Sequence, residues 1–441
     1  PEHEKYRDWY VWSDTDQKYL GTRIIFTDTE TSNWSFDQLR GQYFWHRFYS
    51  TQPDLNYDNE EVRQAMLDVV KFWIDAGADG LRIDAPPYLF EREGTSSENL
   101  PETHAYLKRV RKFVDKYKPD TLLLSEANMW PEEVIEYFGE GDEMHMNFHF
   151  PLMPRLFMAL AKGDRAPIEE ILARTPELPE GCQWGTFLRN HDELTLEMVT
   201  PEERQWMWET YAPDPKQRVN LGIRRRLAPL VDNDQRKILL LHSMLLTMVG
   251  SPFLYYGDEI GMGDNIDLFD RNGVRTPMQW DSGTNAGFSD APEDKLYSPV
   301  IDDPVYGYQK VNVAAQSADP NSLLNKVRRL IAVRKQHPVF GRGDFSWRSF
   351  SFETRAVVAY QRRWEDSRVV VLNNLCDMPI RGWIPETADE FIDLLTGERI
   401  LPGDYTLPSY GYLWLQPVGD KANHASSLNA PMEGDLGSDR D

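Results

Sequence analysis

Gly80-Leu-Arg-Ile-Asp84 is a short apolar run that ends in a carboxylate, and Thr121-Leu-Leu-Leu-Ser-Glu126 repeats the pattern farther along. Each follows a helical stretch. Over residues 60–75, Val62, Met66, Val69, Val70 and Trp73 share one face at helical spacing, and Gly77 stops the run. Over 102–117, Leu107, Val110, Val114 and Tyr117 are in register, and Pro119 ends it. Met144 to Phe150, Thr186 to Asp192 and, after a helix over 236–249, Pro252 to Tyr256 read as further strands. This alternation implies parallel strands with crossover helices. Carboxylates at strand C-terminal ends stand where a (β/α)8 barrel keeps its active site. Only about five strands are countable, whereas such a barrel needs eight. The chain opens at Pro1 with no start Met, so the first strands are expected to lie ahead of it.

Outward from these strands the pattern changes twice. Residues 201–235 interrupt the alternation with a charged segment that holds Arg224, Arg225 and Arg226 in a row. It reads either as a solvated helical excursion or as a lid over the site. From about residue 346 to 417, short alternating runs such as Ala356-Val-Val-Ala-Tyr360 and Val369-Val-Val-Leu372 predict an antiparallel β domain, a β-sandwich. Residues 418–441 are Ser-, Asp- and Gly-rich and predict a disordered tail.

Composition narrows the function. A net charge of −23 leaves no surface to neutralise phosphates, which argues against nucleic acid. The longest apolar run, Ile238 to Leu246, is too short for a membrane span and contains His242 and Ser243. Cys182 and Cys376, far apart, give no disulfide framework. No charged-then-apolar leader opens the chain, so the expectation is a soluble, cytoplasmic protein, with a homo-oligomer left open.

Breaking an acetal with retention takes a carboxylate that attacks the anomeric carbon and an acid that protonates the leaving oxygen, roughly 5–5.5 Å apart. Asp84 and Glu126 end successive strands, which allows that spacing. Arg82, two residues before Asp84, points to the same side and favours its ionised form. Glu126 follows Leu122-Leu-Leu124, and partial burial there raises the pKa towards that of a general acid. Ordinary ion pairs at strand ends would look the same.

Three segments together lift that ambiguity. Gly80-Leu-Arg-Ile-Asp84-Ala resembles the nucleophile motif of the α-amylase superfamily of glycoside hydrolases. Leu124-Ser-Glu126-Ala resembles its general-acid motif, and Phe187-Leu-Arg-Asn190-His191-Asp192 resembles the motif of its third carboxylate. Gln52-Pro-Asp-Leu-Asn56 and Arg275-Thr-Pro-Met-Gln-Trp280 resemble motifs of the oligo-1,6-glucosidase branch. Within it, Asp84-Ala-Pro-Pro-Tyr-Leu-Phe-Glu91, Glu98-Asn-Leu-Pro-Glu-Thr-His104, Trp130-Pro-Glu-Glu-Val-Ile-Glu-Tyr-Phe138, Met144-His-Met-Asn-Phe-His-Phe150 and Asn190-His-Asp-Glu-Leu-Thr-Leu196 resemble the trehalose synthase family, which interconverts maltose and trehalose. The likeness runs nearly the whole chain to about residue 417.

The resemblance implies an α-amylase-type barrel that lacks its first strands here, with residues 1–58 as a subdomain inserted in the barrel and 59–345 as the barrel from its fourth strand onward. It implies Asp84 as nucleophile, Glu126 as acid and base, and Asp192, His191, Arg82 and Arg275 as groups that hold the glucosyl ring. The implied reaction is retaining glucosyl transfer between maltose and trehalose, with hydrolytic α-glucosidase or oligo-1,6-glucosidase action, or an inactive fragment or non-enzymatic relative, as alternatives. It also implies a structural calcium ion on the Asp54 carboxylate, the Tyr88 and Leu89 carbonyls and Glu91, oxygen donors suited to calcium. The resemblance implies that the family's Asp…Asn-His motif is expected ahead of Pro1, and Met129 stands where a Gln beside the acid motif is expected, a change that would touch the leaving-sugar site.

Overall fold

In the computed structural model, which describes residues 3–348, 352 and 354–419, five parallel strands form one sheet. In chain order they are β4 (Gly80–Ile83), β5 (Leu122–Ser125), β6 (Met146–Phe148), β7 (Gln183–Phe187) and β10 (Ser251–Phe253), laid side by side in that sequence. The strands are shorter than their apolar runs because each gives way to a loop before its terminal charge. Gly80 pairs with Leu122, and a Cβ on Gly80 would lie 2.8 Å from the Leu122 Cβ, so only glycine permits this approach of β4 to β5. Among the described residues, β4 and β10 are each bonded on one side only. The sheet is thus an open part of a (β/α)8 barrel.

Crossover helices cover the sheet. Helix α1 (Glu60–Asp75) starts at Asn59, whose side chain accepts from the Glu61 N–H, and helix α2 is Pro101–Tyr117. In α2 the expected Leu107, Val110 and Val114 are buried. In α1 the face is rotated from the one expected. Val62, Leu67 and Ile74 are buried, whereas Val69 and Trp73 are exposed, with Phe72 between them. The helix carries two adjacent apolar stripes, and only one meets the sheet.

Beyond β6 and α3 (Leu152–Lys162) comes the 201–235 segment. It is not wholly helical: α4 (Pro201–Tyr211) leads to a two-stranded hairpin of β8 (Arg218–Val219) and β9 (Gly222–Ile223). Nor is its arginine run solvated. Arg226 is fully buried between the rings of Tyr255 and Tyr256, each 4.7 Å away, and Arg225 pairs with Asp264 at 3.0 Å. These contacts replace the water that a charged helical face would have needed.

Helix α5 (Gln235–Thr247), buried from Ile238 through Thr247, packs on α6 (Leu323–Gln336) and on the C-terminal domain. That domain is a six-stranded antiparallel sheet beside a separate two-stranded antiparallel sheet, Ile380–Ile384 with Gly403–Leu407. The Trp414 indole donates to Ser243 Oγ of α5 at 2.9 Å, Ser243 donates to Asn373, and Arg362 donates to the Thr247 carbonyl at 2.8 Å. The disordered tail expected over 418–441 lies outside the described residues from 420 onward.

Near the N-terminus, β1 (Trp12–Ser13), β3 (Gln42–Trp45) and β2 (Trp34–Asp37) form a small antiparallel sheet around Trp34, Trp45 and Tyr19. Cys182 and Cys376 are unpaired, and no helix of the described residues is long and apolar enough to cross a membrane.

Candidate active site

Asp84 immediately follows β4. Ala85 then takes a left-handed turn, φ 46° and ψ 43°, into Pro86–Tyr88. Glu126 immediately follows β5, and its N–H donates to the Ile83 carbonyl at 3.0 Å, which fixes it beside Asp84. Arg82 binds both carboxylates: its Nη2 lies 3.3 Å from Asp84 and hydrogen-bonds Glu126. Asp192 stands five residues past the end of β7, in a loop shaped by Arg189, which donates to the Asp192 carbonyl at 2.7 Å. Two guanidinium groups grip the Asp192 carboxylate, Arg275 at 2.6 Å and Arg271 at 3.0 Å. His191 Nε2 lies 3.3 Å from the same carboxylate, and Arg275 also donates to the His191 carbonyl. Asp84, Glu126, Asp192, Arg82, His191 and Arg275 therefore converge.

The two strand-end carboxyls differ in proton affinity. The side chain of Asp84 is 74% exposed and that of Glu126 14%. A hydrogen bond from Glu126, with the Arg82 and Arg271 charges, holds Asp84 below the usual carboxylate range. Burial, with Asp84 as a negative neighbour, pushes Glu126 up to about 8. At neutral pH the pair is one carboxylate and one carboxylic acid. Burial also lowers His191, which favours the neutral ring.

These groups line a cavity of about 620 Å³, within the range of small-ligand sites. The N-terminal subdomain supplies much of its wall, through Phe26, Phe48, Tyr49 and Asp54. No residue of 201–235 lines it; part of the insertion lines a neighbouring cavity that shares Tyr49 and Asp270. Beside the cavity, the Arg23 guanidinium reaches Glu98 at 2.8 Å and two lining residues, Glu197 at 3.0 Å and the Tyr88 hydroxyl at 3.2 Å. Arg47 joins the same Glu98 carboxylate. One latch thus ties the subdomain to the loops after β4 and β7.

Sequence reading missed Arg23, Glu197, Tyr49 and Arg271. Arg23 and Glu197 lie 174 residues apart, a pairing with no local signal. Arg271 lies one helical turn before Arg275, a spacing that could have flagged it. It stacks 4.9 Å from the Phe26 ring and pairs with Asp270, which accepts from the Tyr49 hydroxyl at 2.9 Å. Met129 does not reach the cavity; it packs against the core around Leu123 and Val134, and Asn128 faces the site instead. The alternation of a loop residue sends neighbours to opposite sides.

Asp54, Tyr88 and Leu89 line the same cavity, with Glu91 just behind. Asp54 is half-buried at the cavity wall and accepts from the Arg47 N–H at 3.2 Å; desolvation pushes it up to about 7. Glu91 is buried, its Oε1 has no hydrogen-bond partner, and desolvation with the nearby Asp54 charge raises it well above the usual range. Among the described residues no group of three or more His, Cys, Asp or Glu is gathered for a metal.

The model of the α-amylase catalytic domain matches residues 2–210 and 224–343. The chain belongs to the α-amylase family. Among family members, the trehalose synthase/amylase TreS of Mycobacterium tuberculosis (strain H37Rv) is 55% identical over 426 residues, covering 93% of this chain and 70% of that protein. The trehalose synthase of Pimelobacter sp. (strain R48) is 53% identical over 432 residues, covering 93% and 75%. The solved structure of isomaltulose synthase from Klebsiella sp. LX3 shares the α-amylase fold with a TM-score of 0.71 at 21% identity, covering 94% of this chain and 79% of that one.

Proposed function

We propose that this site interconverts maltose and trehalose by glucosyl transfer within one pocket. Asp84 attacks the anomeric carbon of the non-reducing glucose of maltose while Glu126 gives its proton to the glycosidic oxygen. The products are a β-glucosyl ester on Asp84 and a free glucose. That glucose turns over, Glu126 takes the proton from its anomeric hydroxyl as that oxygen attacks the glucosyl anomeric carbon, and the ester bond breaks to return the Asp84 carboxylate and leave the α,α-1,1 linkage. Asp192, clamped by Arg271 and Arg275, accepts from ring hydroxyls; His191 and Arg82 complete the grip.

The observation that carries the reading is the placement of two strand-end carboxyls on one guanidinium, Arg82, with Asp84 exposed and Glu126 largely buried, an asymmetry that keeps Asp84 ionised and pushes Glu126 up. Transfer outruns hydrolysis only where water is kept out while glucose turns, and the Arg23 ion pairs between the subdomain and the loops after β4 and β7 would serve that need by tightening over bound sugar. The trehalose synthase relatives at 53–55% identity support the same choice.

Incubation with maltose tests it. Trehalose is the expected main product, and isotopically labelled free glucose is expected to enter it only slightly. Mostly glucose, with little trehalose, would sink the proposal and favour the second reading, hydrolysis. The exposure of Asp84 favours that second reading, because an accessible glucosyl ester is open to water.

The calcium expectation joins the proposal. In two neighbouring desolvated carboxyls, one with an orphaned oxygen, desolvation outweighs the Arg47 and Arg92 charges, which fits a hard oxygen-bound cation. Asp54, Glu91 and the carbonyls of Tyr88 and Leu89 would hold it. Its contribution when bound is to neutralise that buried charge and tie the loop after β4 to the N-terminal subdomain.

A further inference from the structure

Both guanidinium groups on Asp192 take the same oxygen. Arg275 Nη2 donates to Oδ1 at 2.6 Å and Arg271 Nη1 donates to it at 3.0 Å, while Oδ2 has His191 Nε2 beside it at 3.3 Å. The clamp therefore fixes the rotation of the carboxylate and leaves Oδ2 to accept from a sugar hydroxyl. A second acceptor competes for Arg271. Glu193 Oε2 stands 3.7 Å from the same Nη1, is buried and has no hydrogen-bond partner. An orphaned buried oxygen gains from any donor that moves towards it.

The other edge of the Arg271 guanidinium decides between the two carboxylates. Its Nε donates to Asp270 Oδ1 at 3.2 Å and Oδ2 at 3.3 Å. The backbone of Asp270 is left-handed, φ 53°, and Arg224 pins it by donating to the Asp270 carbonyl at 2.7 Å and the Leu268 carbonyl at 2.8 Å. With that backbone held, the Asp270 carboxylate can move only by turning about its side-chain bonds. The Tyr49 hydroxyl, donating to Oδ2 at 2.9 Å, blocks that rotation. Tyr49 also meets Arg271 by a second route: its ring packs 4.5 Å from the Phe26 ring, over which the guanidinium lies at 4.9 Å. Phe26, Tyr49, Asp270, Arg271 and Asp192 all line the cavity.

We infer that Tyr49 is a positioning residue for glucosyl-enzyme formation: by locking Asp270 it holds Arg271 on Asp192 rather than on Glu193, and so keeps Asp192 Oδ2 presented to the glucosyl ring. The inference rests on the reading of Asp192 as a group that holds that ring. Hydrogen bonds to ring hydroxyls strengthen as the ring flattens towards the transition state, so a slack Asp192 lowers kcat more than it raises KM. The N-terminal subdomain, which supplies none of the reacting groups, thereby sets the third carboxylate.

Fluoride release from α-glucosyl fluoride tests this. Asp84 forms its ester bond at the anomeric carbon, the C–F bond breaks, and fluoride leaves with the electron pair, whether water or glucose later takes the glucosyl group. Wild type, Tyr49→Phe, Arg271→Gln and the double variant are compared. Tyr49→Phe keeps the ring on Phe26 and removes only the hydroxyl. It is expected to lower kcat about tenfold, the scale of one hydrogen bond to a charged group, with KM changed less than about twofold. In the Arg271→Gln background the same substitution is expected to change kcat less than about twofold, because the group it acts through is gone. A tenfold loss in both backgrounds, the result of a merely structural role, would overturn the inference. So would an unchanged kcat in Tyr49→Phe, or a loss confined to KM. Absence of trehalose from maltose in wild type, with this coupling intact, would sink the transfer reading and uphold the role of Tyr49.

Discussion

Two helices of the same barrel, α1 and α5, carry comparable apolar content and meet opposite fates. Helix α5 is buried on every face from Ile238 to Thr247 because the sheet lies on one side and α6 and the C-terminal domain on the others. Helix α1 buries one stripe and exposes Val69, Phe72 (62%) and Trp73 (53%), because the strand beside β4 is not present among the described residues. Burial is therefore decided by whether a complementary surface arrives, and the carboxylates repeat the lesson. Glu126, on a strand paired on both sides, is desolvated into an acid. Asp84, on the free edge strand, stays ionised and exposed.

The largest effect tests the carboxylate half of the contrast. Glu126→Gln is expected to lower trehalose formation by about 10²–10⁴-fold and to abolish the alkaline limb of the pH–rate profile. The sign follows from the working form: Glu126 acts protonated, so wild-type activity falls as pH rises through about 8, while the acid limb lies below the ordinary carboxylate range, where Asp84 gains its proton. A wild-type alkaline limb that survives in the variant would assign it to another group.

Next comes the covered helix. Trp414→Ala removes an indole that is fully buried against Phe340 and bonded to Ser243 of α5. Denaturant unfolding is expected to show a loss of about 3–5 kcal/mol.

The latch lies between the extremes. Arg23→Ala is expected to raise the glucose share from maltose several-fold while maltose consumption changes less, because the guanidinium touches loops and not the reacting carboxyls. An unchanged product ratio would remove the latch from water exclusion.

The smallest effect is the sharpest on the comparison. Trp73→Ala deletes as large a side chain as Trp414→Ala, yet from an exposed face the change is expected to stay within about 0.5 kcal/mol. A cost near that of Trp414→Ala would mean that another surface covers α1 in solution.

Much of this was legible in sequence where a local rule and a tertiary outcome coincide. Apolar runs ending in Asp84 and Glu126 gave parallel neighbours because strand period, helix period and stop residues agreed. The α1 face was misread because Val62, Met66, Val69 and Trp73 satisfy helical spacing as well as Val62, Leu67 and Ile74 do, and periodicity cannot say which stripe finds a partner. Arg224 to Arg226 read as solvated because their acceptors and rings, Asp264, Tyr255 and Tyr256, come from a distant segment. Arg271, Tyr49 and Arg23 escaped for the same reason, since each gains meaning only when the N-terminal subdomain folds over the loops after β4 and β7.

Ala85 carries a further consequence. A left-handed backbone costs a residue with a Cβ roughly 1–2 kcal/mol, so the joint behind Asp84 is wound like a spring and held by the pairing of β4 with β5 and by the two prolines that follow. Glycine at that position would let the spring run down: the fold would gain ease, and the nucleophile would lose the torque that keeps it pointed. One methyl group thus records a trade of stability for aim.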